Sequence, residues 1–513
     1  MAIAIGELAA GLLTGAPSLV IAIGDLIIDL QPPGAKDLMV DLFGDNDKLA
    51  LVGLIVAAAL AIAARAGISG RNSWPKAIIA FVVAGGVALF AATRQPLVDP
   101  VLAVVTVALA VAASLVVLRW LLELTRPGWS VATSPESVAE DRAAKPRGVA
   151  TMPDWQRRRF LLRSGSIAAG AIAVAAVGRG LLERGPSGST AGSGVGATLA
   201  PAASPVPSLV ADVSFDGIAG LTPIVVPNDD FYRIDTALIV PRVNADTWKL
   251  KVTGMVDREV SLSYADLQAM PQFEQYVTIA CVSNKVGEDL VGNAKWSGVR
   301  LREVLAMAGV KPGATQLVGR SVDRFTAGFP TAWAMDPTRD PMIALGMNSV
   351  PLPMDHGFPA RLIIPGLFGY VSATKWLSEI ELTTLEAFDG YWVPLGWAKE
   401  APILTQSRID VPRRGQRMAA GQAVLAGVAW APDRGVTKVE VRIDDGAWQP
   451  ARISTPMSAA TWVQWRFDWA ATEGRHTIAV RATDGTGEVQ TDRMTPPAPD
   501  GARGHHTIEV QVG

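Results

Sequence analysis

Five apolar runs occupy the first third of the chain, at residues 8–24, 49–64, 77–93, 100–118 and 164–178, and charged residues stand at their borders, not inside them. Each is close to, or slightly below, the roughly 17–25 residues that cross a bilayer as a helix, so Lys and Arg at the ends must snorkel. The first run contains Pro17 and is expected to kink or re-enter; the last is short and rich in Ala and Gly. Buried core helices are the alternative reading, and five runs with charges confined to their edges argue against it.

The charges between the runs suggest an orientation, because short cytoplasmic loops collect Lys and Arg. The 65–76 connection carries Arg65, Arg71 and Lys76 and no acid. The connection after the fourth run carries Arg126, Arg142, Lys145, Arg147, Arg157, Arg158, Arg159 and Arg163. By contrast, residues 31–48 hold four aspartates against two lysines, and residues 95–100 hold only Asp99. The expectation is a transmembrane region at 1–184 with about five spans, its N-terminus in the cytoplasm and everything after about residue 185 outside: a multi-pass cell-membrane protein with an extracytoplasmic soluble part. Arg157-Arg158-Arg159-Phe160-Leu161 also resembles a twin-arginine export signal set before the last span. A basic topology anchor explains the same residues.

Residues 185–211 are rich in Gly, Ser, Ala and Pro and read as a linker, flexible at first and stiffer near its prolines. Residues 212–390 mix short strands and helices. Residues 248–254 alternate at period two and end at Gly254, a strand; residues 263–270 open on a Ser cap and stop before Pro271, a helix. A β-branched strand over 276–280 delivers Cys281 at its end. A short helix over 301–309 and strands over 361–364 and 376–382 complete an α+β domain. From 400 to 513 the helical period is gone. Strands at 423–430, 436–443, 462–469, 476–483 and 507–512, separated by Gly, Asp and Pro turns, are the pattern of an immunoglobulin-like β-sandwich, with Asp444-Asp445-Gly446 as a hairpin turn.

Composition narrows the chemistry. The 513 residues include 46 Lys and Arg against 48 Asp and Glu, so nothing points to nucleic acid. The positive mean hydropathy, +0.27, reflects the apolar front. The single cysteine excludes an intrachain disulfide, CxxC or zinc-ribbon sites, a cysteine-ligated iron–sulfur cluster and covalent CxxCH haem. All four histidines lie at or beyond residue 356, so the membrane segment has no bis-histidine haem. His476, His505 and His506 read as surface residues. Cys281 is either a small buried hydrophobe or, as a thiolate, a metal ligand.

Cys281 lies in an ordered series: Thr278-Ile-Ala-Cys281-Val-Ser-Asn284, then Ala294-Lys-Trp-Ser-Gly-Val-Arg-Leu301, then Leu352-Pro-Met-Asp-His-Gly-Phe-Pro-Ala-Arg361, then Gly369 through Lys375-Trp376-Leu377. From about residue 228 to 382 the series resembles the sulfite oxidase family of molybdenum enzymes, including its bacterial sulfite dehydrogenase and methionine-sulfoxide reductase relatives. The resemblance implies a molybdenum-molybdopterin cofactor with Cys281 as metal ligand and catalytic centre, and a C-terminal domain of the dimerisation type, hence a possible homodimer. By position, His356 and Arg361 match pterin and phosphate contacts, and Ala373, Thr374 and Lys375 match a loop closing on the cofactor. Asp323 matches an acidic pterin contact, and Tyr232, Arg233 and Asp235 lie in the segment that opens the domain against the pterin. The bland readings are that His356 orders its turn, Arg361 caps a strand and Lys375 is solvated.

Departures bear on the substrate. The family's sulfite oxidases follow the cysteine with a pair of arginines, where this chain has Lys285 and Val286, and the loop beyond is shortened to 287–293. Arg233, Lys285 and Arg324 replace those cations only in part, which argues against sulfite as the substrate. Tyr391 and Trp392 line the pocket or pack in the core. The expected protein transfers an oxygen atom and two electrons to or from a small-molecule substrate, with a separate cytochrome or quinone system as electron partner. The alternatives are a sulfite dehydrogenase proper, or a non-enzymatic membrane protein with a degenerate cofactor fold and a partner-binding Ig-like domain.

Overall fold

The computed structural model describes residues 1–13, 15–32, 39, 42–43, 47–95, 97–124, 154–184, 198–206, 212–215 and 217–513, in two compact units, Met1–Ser189 and Thr190–Gly513. The first unit is helical: α1 Ala2–Leu12, α2 Leu19–Leu30, α3 Asp47–Asn72, α4 Trp74–Thr93, α5 Pro100–Leu124 and α6 Asp154–Arg184. Among the described residues four helices, not five, are long and apolar enough to span, at Lys48–Asn72, Trp74–Thr93, Pro100–Leu124 and Phe160–Leu182. The first expected span divides into α1 and α2. Gly15 adopts φ +88°, Pro17 supplies no N–H, and the Ser18 side chain accepts the Ile21 N–H to start a new helix. Charged residues at the ends of the runs are paired: Ser18 Oγ donates to Glu7, Arg179 Nη1 lies 3.8 Å from Glu7 Oε2, and Gln95 Nε2 donates to Asp25 at 2.7 Å. Arg126, Arg142, Lys145 and Arg147, the side chains of Arg157 and Arg159, and most of 185–211 lie outside the described residues.

The second unit opens with residues 198–206 laid along the edge of a strand. Ala203 N–H donates to Gln272 O at 2.8 Å, and Glu274 N–H donates to Ser204 O at 3.0 Å. This part of the expected linker therefore covers an exposed sheet edge. Ten strands follow: β1 Lys249–Gly254, β2 Val260–Ser263, β3 Phe273–Ala280, β4 Val291–Arg300, β5 Gln316–Ser321, β6 Thr326–Pro330, β7 Met342–Met347, β8 Val350–Pro351, β9 Arg361–Ile363 and β10 Leu377–Thr383. They form two sheets, β2-β1-β10-β5-β6 and β3-β4-β7-β8, with β9 beside β7. β1 buries Leu250 and Val252 and turns Lys249 and Lys251 outward, the alternation seen in the sequence. The helix Tyr264–Ala269 begins with a capping box between Ser263 and Asp266. Trp296, Trp376, Phe329 and Phe358 lie in the shared apolar core and are at most 1% exposed.

The remaining strands are β11 Gln406–Val411, β12 Arg417–Met418, β13 Gly421–Trp430, β14 Val436–Ile443, β15 Gln449–Ile453, β16 Val463–Ala471, β17 Gly474–Asp484 and β18 His506–Val512. They run in the order β11-β13-β16-β15-β14-β17-β18-β12, and side chains of β13 and β16 meet those of β14, β17 and β18 in one apolar cluster. Asp444, at φ +52°, turns the chain between β14 and β15. Val428, Trp430 and Trp462 of this β-rich region join the core of the preceding sheets.

His506 is not a surface residue. It is 8% exposed, and its Nδ1 accepts the Ile409 N–H at 3.0 Å, which leaves the proton on Nε2. Burial and the neighbouring Arg414 and Arg408 push its pKa down to about 4. Because the folded value lies below the unfolded one, folding opposes protonation. Stability should be unaffected above about pH 6.5 and fall by up to about 3 kcal/mol between there and pH 4. Melting temperatures of the His506→Asn variant should lose that part of the acid slope; an identical slope would contradict this account.

Candidate functional site

The candidate residues are spread over more than a hundred positions of sequence, from Tyr232 to Lys375, on the opening segment, the end of β3, β9 and the segment before β10. β3 delivers Cys281, 9% exposed, with Sγ 2.9 Å from Ser283 Oγ. The chain then turns sharply. Asn284 N–H donates to Cys281 O at 3.1 Å, Cys281 N–H to Leu290 O at 2.9 Å, and Leu290 N–H to Asn284 Oδ1 at 2.9 Å. The thiol thus sits at the root of a loop, 281–290, closed by its own hydrogen bonds.

Tyr232, in the opening segment, lies within electrostatic reach of Cys281. Burial is the main cause raising its hydroxyl pKa, reinforced by Cys281 and opposed by Arg361, so the phenol stays protonated. A Cβ placed on Gly369 would stand 3.9 Å from Tyr232 Oη, 3.7 Å from Ala280 O and 3.6 Å from Ala373 Cβ, which puts Ala373 on the same wall. Arg361 opens β9, 5% exposed. Its guanidinium lies over the Trp296 ring at 5.1 Å, and Nη1 donates to His356 O at 3.1 Å. Burial holds its pKa down to about 10, so it remains a cation at neutral pH. Its Nε is buried with no hydrogen-bond partner among the described residues, and so is Thr374 Oγ1. Leaving such groups unpaired is costly, and an orphaned buried donor points to a ligand the protein itself does not supply.

His356 sits in the turn Met354–His356 with its ring edge-on to Phe231, centroids 5.7 Å apart, and Nε2 is 2.8 Å from Asn228 O. A carbonyl only accepts, so Nε2 carries the proton and Nδ1 is an acceptor. Burial pushes its pKa down to about 4. Lys375 is 9% exposed; Nζ donates to Asp235 at 2.8 Å and to Asp355 O at 3.1 Å. Burial, opposed by Asp235, brings its pKa down to about 8. Arg233 bonds Asp235 at 3.0 Å and Asp355 at 3.1 Å. Burial raises the Asp323 carboxyl pKa, with Asp235 and Lys375 as electrostatic neighbours.

Contacts and electrostatic neighbours thus link nine of the ten candidates: Tyr232 with Cys281, Arg361 and Ala373, Arg361 with His356 and Lys375, and Lys375 with Asp235, Arg233 and Asp323, whereas Thr374 turns its Oγ1 toward Gly319. Sequence reasoning missed Ser283, the Trp296 platform and Asp355. Trp296 carried a signal, since it lies in the quoted 294–301 segment at an inward-facing strand position. Tyr391 packs against Phe325 and Trp392, with ring centroids 5.8 Å and 5.1 Å away. Lys285 is 68% exposed and pairs with Glu288 at 3.8 Å.

Residues 237–392 match the family model described as oxidoreductase molybdopterin binding domain. The chain is 30% identical over 321 residues to human mitochondrial sulfite oxidase, covering 53% of this chain and 58% of that protein. It is 27% identical over 319 residues to nitrate reductase [NADH] 1 of Oryza sativa subsp. japonica, covering 50% and 35%. Among solved structures, the sulfane dehydrogenase SoxCD from Paracoccus pantotrophus superposes with TM-score 0.51 at 22% identity, over 57% of this chain and 82% of that one, a likeness of fold. The chain spans little more than half the length of the mammalian sulfite oxidases it matches.

Proposed function

We propose that this chain, whose residues 237–392 belong to the sulfite oxidase family of molybdopterin oxidoreductases, is a membrane-anchored enzyme that exchanges an oxygen atom and two electrons with a small substrate outside the cytoplasmic membrane. One observation carries the reading: the lone thiol and a buried guanidinium whose Nε has no partner among the described residues both lie within electrostatic reach of the buried Tyr232 hydroxyl. These residues fit the implied group, since a soft thiolate suits molybdenum and a fixed guanidinium suits phosphate.

When bound, the molybdenum cofactor supplies oxygen-atom exchange coupled to a two-electron change at the metal. The chain's own residues hold and polarise. Cys281 offers its sulfur as metal ligand. Arg361 and Lys375 present cations, and His356, with Nε2–H committed to Asn228, offers Nδ1 as an acceptor. Ala373 and Thr374 would help hold the group, Asp323 would accept hydrogen bonds from its N–H donors, and Tyr232, Arg233 and Asp235 would flank it from the opening segment. Tyr232, held protonated, serves as a hydrogen-bond donor.

The electrostatics favour an uncharged substrate, such as a sulfoxide or N-oxide, over sulfite. An anion site needs fixed, unneutralised cations. With Arg361 assigned to the cofactor's phosphate, the other cations do not qualify: Arg233 is taken by Asp235 and Asp355, Lys285 is solvated beside Glu288, and Val286 is apolar.

Basic residues support the outside location, since Arg65, Arg71 and Lys76 gather in the last two turns of α3 and the first turn of α4, the connection after α5 is the other basic stretch, and this does not depend on whether α1 and α2 span. The twin-arginine-like residues 157–161, in the first turns of α6, suit export of a domain folded around its cofactor. The β-rich C-terminal region is read as an immunoglobulin-like sandwich of the dimerisation type, and electrons are read as passing to or from a separate cytochrome or quinone system. The domain limits 1–184, 185–211, 212–390 and 400–513 are part of this proposal.

The full chain, purified from a host that makes molybdopterin, should carry roughly one molybdenum and one pterin per chain, and dye-linked turnover should be faster with sulfoxides than with sulfite. Metal-free protein would overturn the enzyme reading, and robust sulfite oxidation would overturn the substrate class.

A further inference from the structure

We infer that the C-terminal β-rich region sets the position of the Cys281 thiol, with His506 and Arg408 as positioning residues for the loop 281–290. The region grips the chain on both sides of the cysteine. Ahead of it, on β3, Thr278 is fully buried; its N–H donates to Ala460 O at 2.9 Å and its Oγ1 accepts the Trp462 N–H at 2.8 Å. Behind it, buried Arg408 donates from Nη1 to Glu288 O at 3.0 Å, while Nε is held by Asp410 at 2.6 Å and Nη2 by Thr222 Oγ1 at 2.7 Å. A guanidinium tied at three points is a rigid strut, unlike a lone surface arginine. His506 closes the grip. A Cβ on Gly287 would stand 2.4 Å from its Cδ2 and Nε2, so the ring lies directly against the loop backbone where Gly287 takes φ +87°. Both Gly287 requirements, the positive φ and the missing side chain, are met only by glycine.

The loop's closing bonds run between Cys281, Asn284 and Leu290, so a shift at Gly287 or Glu288 reaches the cysteine through a short, hydrogen-bonded circuit. A ligand thiol must be held closely to bind a metal well. The significance for the metal rests on the proposed function; the grip itself does not.

Cys281 is the chain's one cysteine, so iodoacetamide labelling of the full chain, purified in detergent from a host lacking molybdopterin, reports on that thiol alone. The thiol is buried, and alkylation waits on local opening. Gly287→Ala and His506→Ala are expected to speed labelling about tenfold, with His506→Asn, which keeps an acceptor for the Ile409 N–H, restoring a rate near wild type. Ile478→Val, in the C-terminal core, is the control: it should lower the melting temperature without changing the rate. Unchanged labelling in Gly287→Ala and His506→Ala, or equal acceleration in Ile478→Val, would overturn the inference. If either loop variant fails to fold, Thr278→Val, which removes the acceptor for Trp462, decides by the same criterion. Acceleration in a protein that never binds molybdenum would overturn the metal reading and leave the grip standing; molybdenum binding without acceleration would do the reverse.

Discussion

The Cys281→Ser variant is expected to fold with a melting temperature close to wild type and to lose more than about a hundredfold in retained molybdenum, since even outer-shell partners of a metal cost 10–100-fold. The two side chains are nearly the same size, and the hydroxyl can keep the contact with Ser283 Oγ that Sγ makes at 2.9 Å. Their donor chemistry differs. A thiol ionises near neutral pH to a soft, polarisable ligand, whereas a hydroxyl remains neutral and hard. Turnover with an artificial electron donor or acceptor should fall in proportion to the metal lost. Metal analysis together with a melting curve separates this from misfolding. Full molybdenum content in a well-folded serine variant would remove Cys281 from the metal site.

The second large effect concerns the buried pair of Lys375 and Asp235. Their side chains are 10% and 3% exposed and 2.8 Å apart. Asp235→Asn leaves the Lys375 ammonium with the Asp355 carbonyl and the Trp376 ring, 4.6 Å away. Breaking a buried pair costs about 3–5 kcal/mol, and a lysine already held down to about 8 can shed its proton to limit the loss. An expected cost of about 3 kcal/mol corresponds to roughly 6–12 °C in melting temperature. The sign with pH follows from the lowered lysine value. Between about pH 8 and 10.5 the unfolded chain binds more protons than the folded one, so stability rises with pH. In the variant the rise begins at lower pH, so the gap from wild type is widest below that onset, narrows as the pH approaches about 8 and is smallest above it. Lys375→Met should cost less, because Arg233 still neutralises Asp235 at 3.0 Å, and the double variant should recover most of the loss. Equal melting temperatures for Asp235→Asn and wild type would show the pair to be solvated.

Both predictions concern residues that could be named before the fold was known. The strand ending at Cys281, the Asp355-His356-Gly357-Phe358-Pro359 run and Lys375 stand out because strand alternation and short motifs are local properties. The same locality marked the apolar helices and the C-terminal strands. At residues 8–24 Pro17 marked the kink in advance, but the full break from Gly15 to Ser18 was not legible in the apolar run itself. Hydrophobicity there says what the segment avoids, not how its backbone turns.

The sequence by itself determined the classes of side chain available: one thiol, no histidine ahead of residue 356, and an apolar front followed by a β-rich end. Only the tertiary structure decided how they combine. It brought Tyr232, Cys281, Arg361 and Ala373 to one wall, neutralised Arg233 with two aspartates, and buried His506 against Gly287. The reason is physical. Periodicity and turn chemistry act over a few residues, whereas burial, pKa and the partner of a charge depend on groups brought together from distant positions, and those partners exist only once the core has formed.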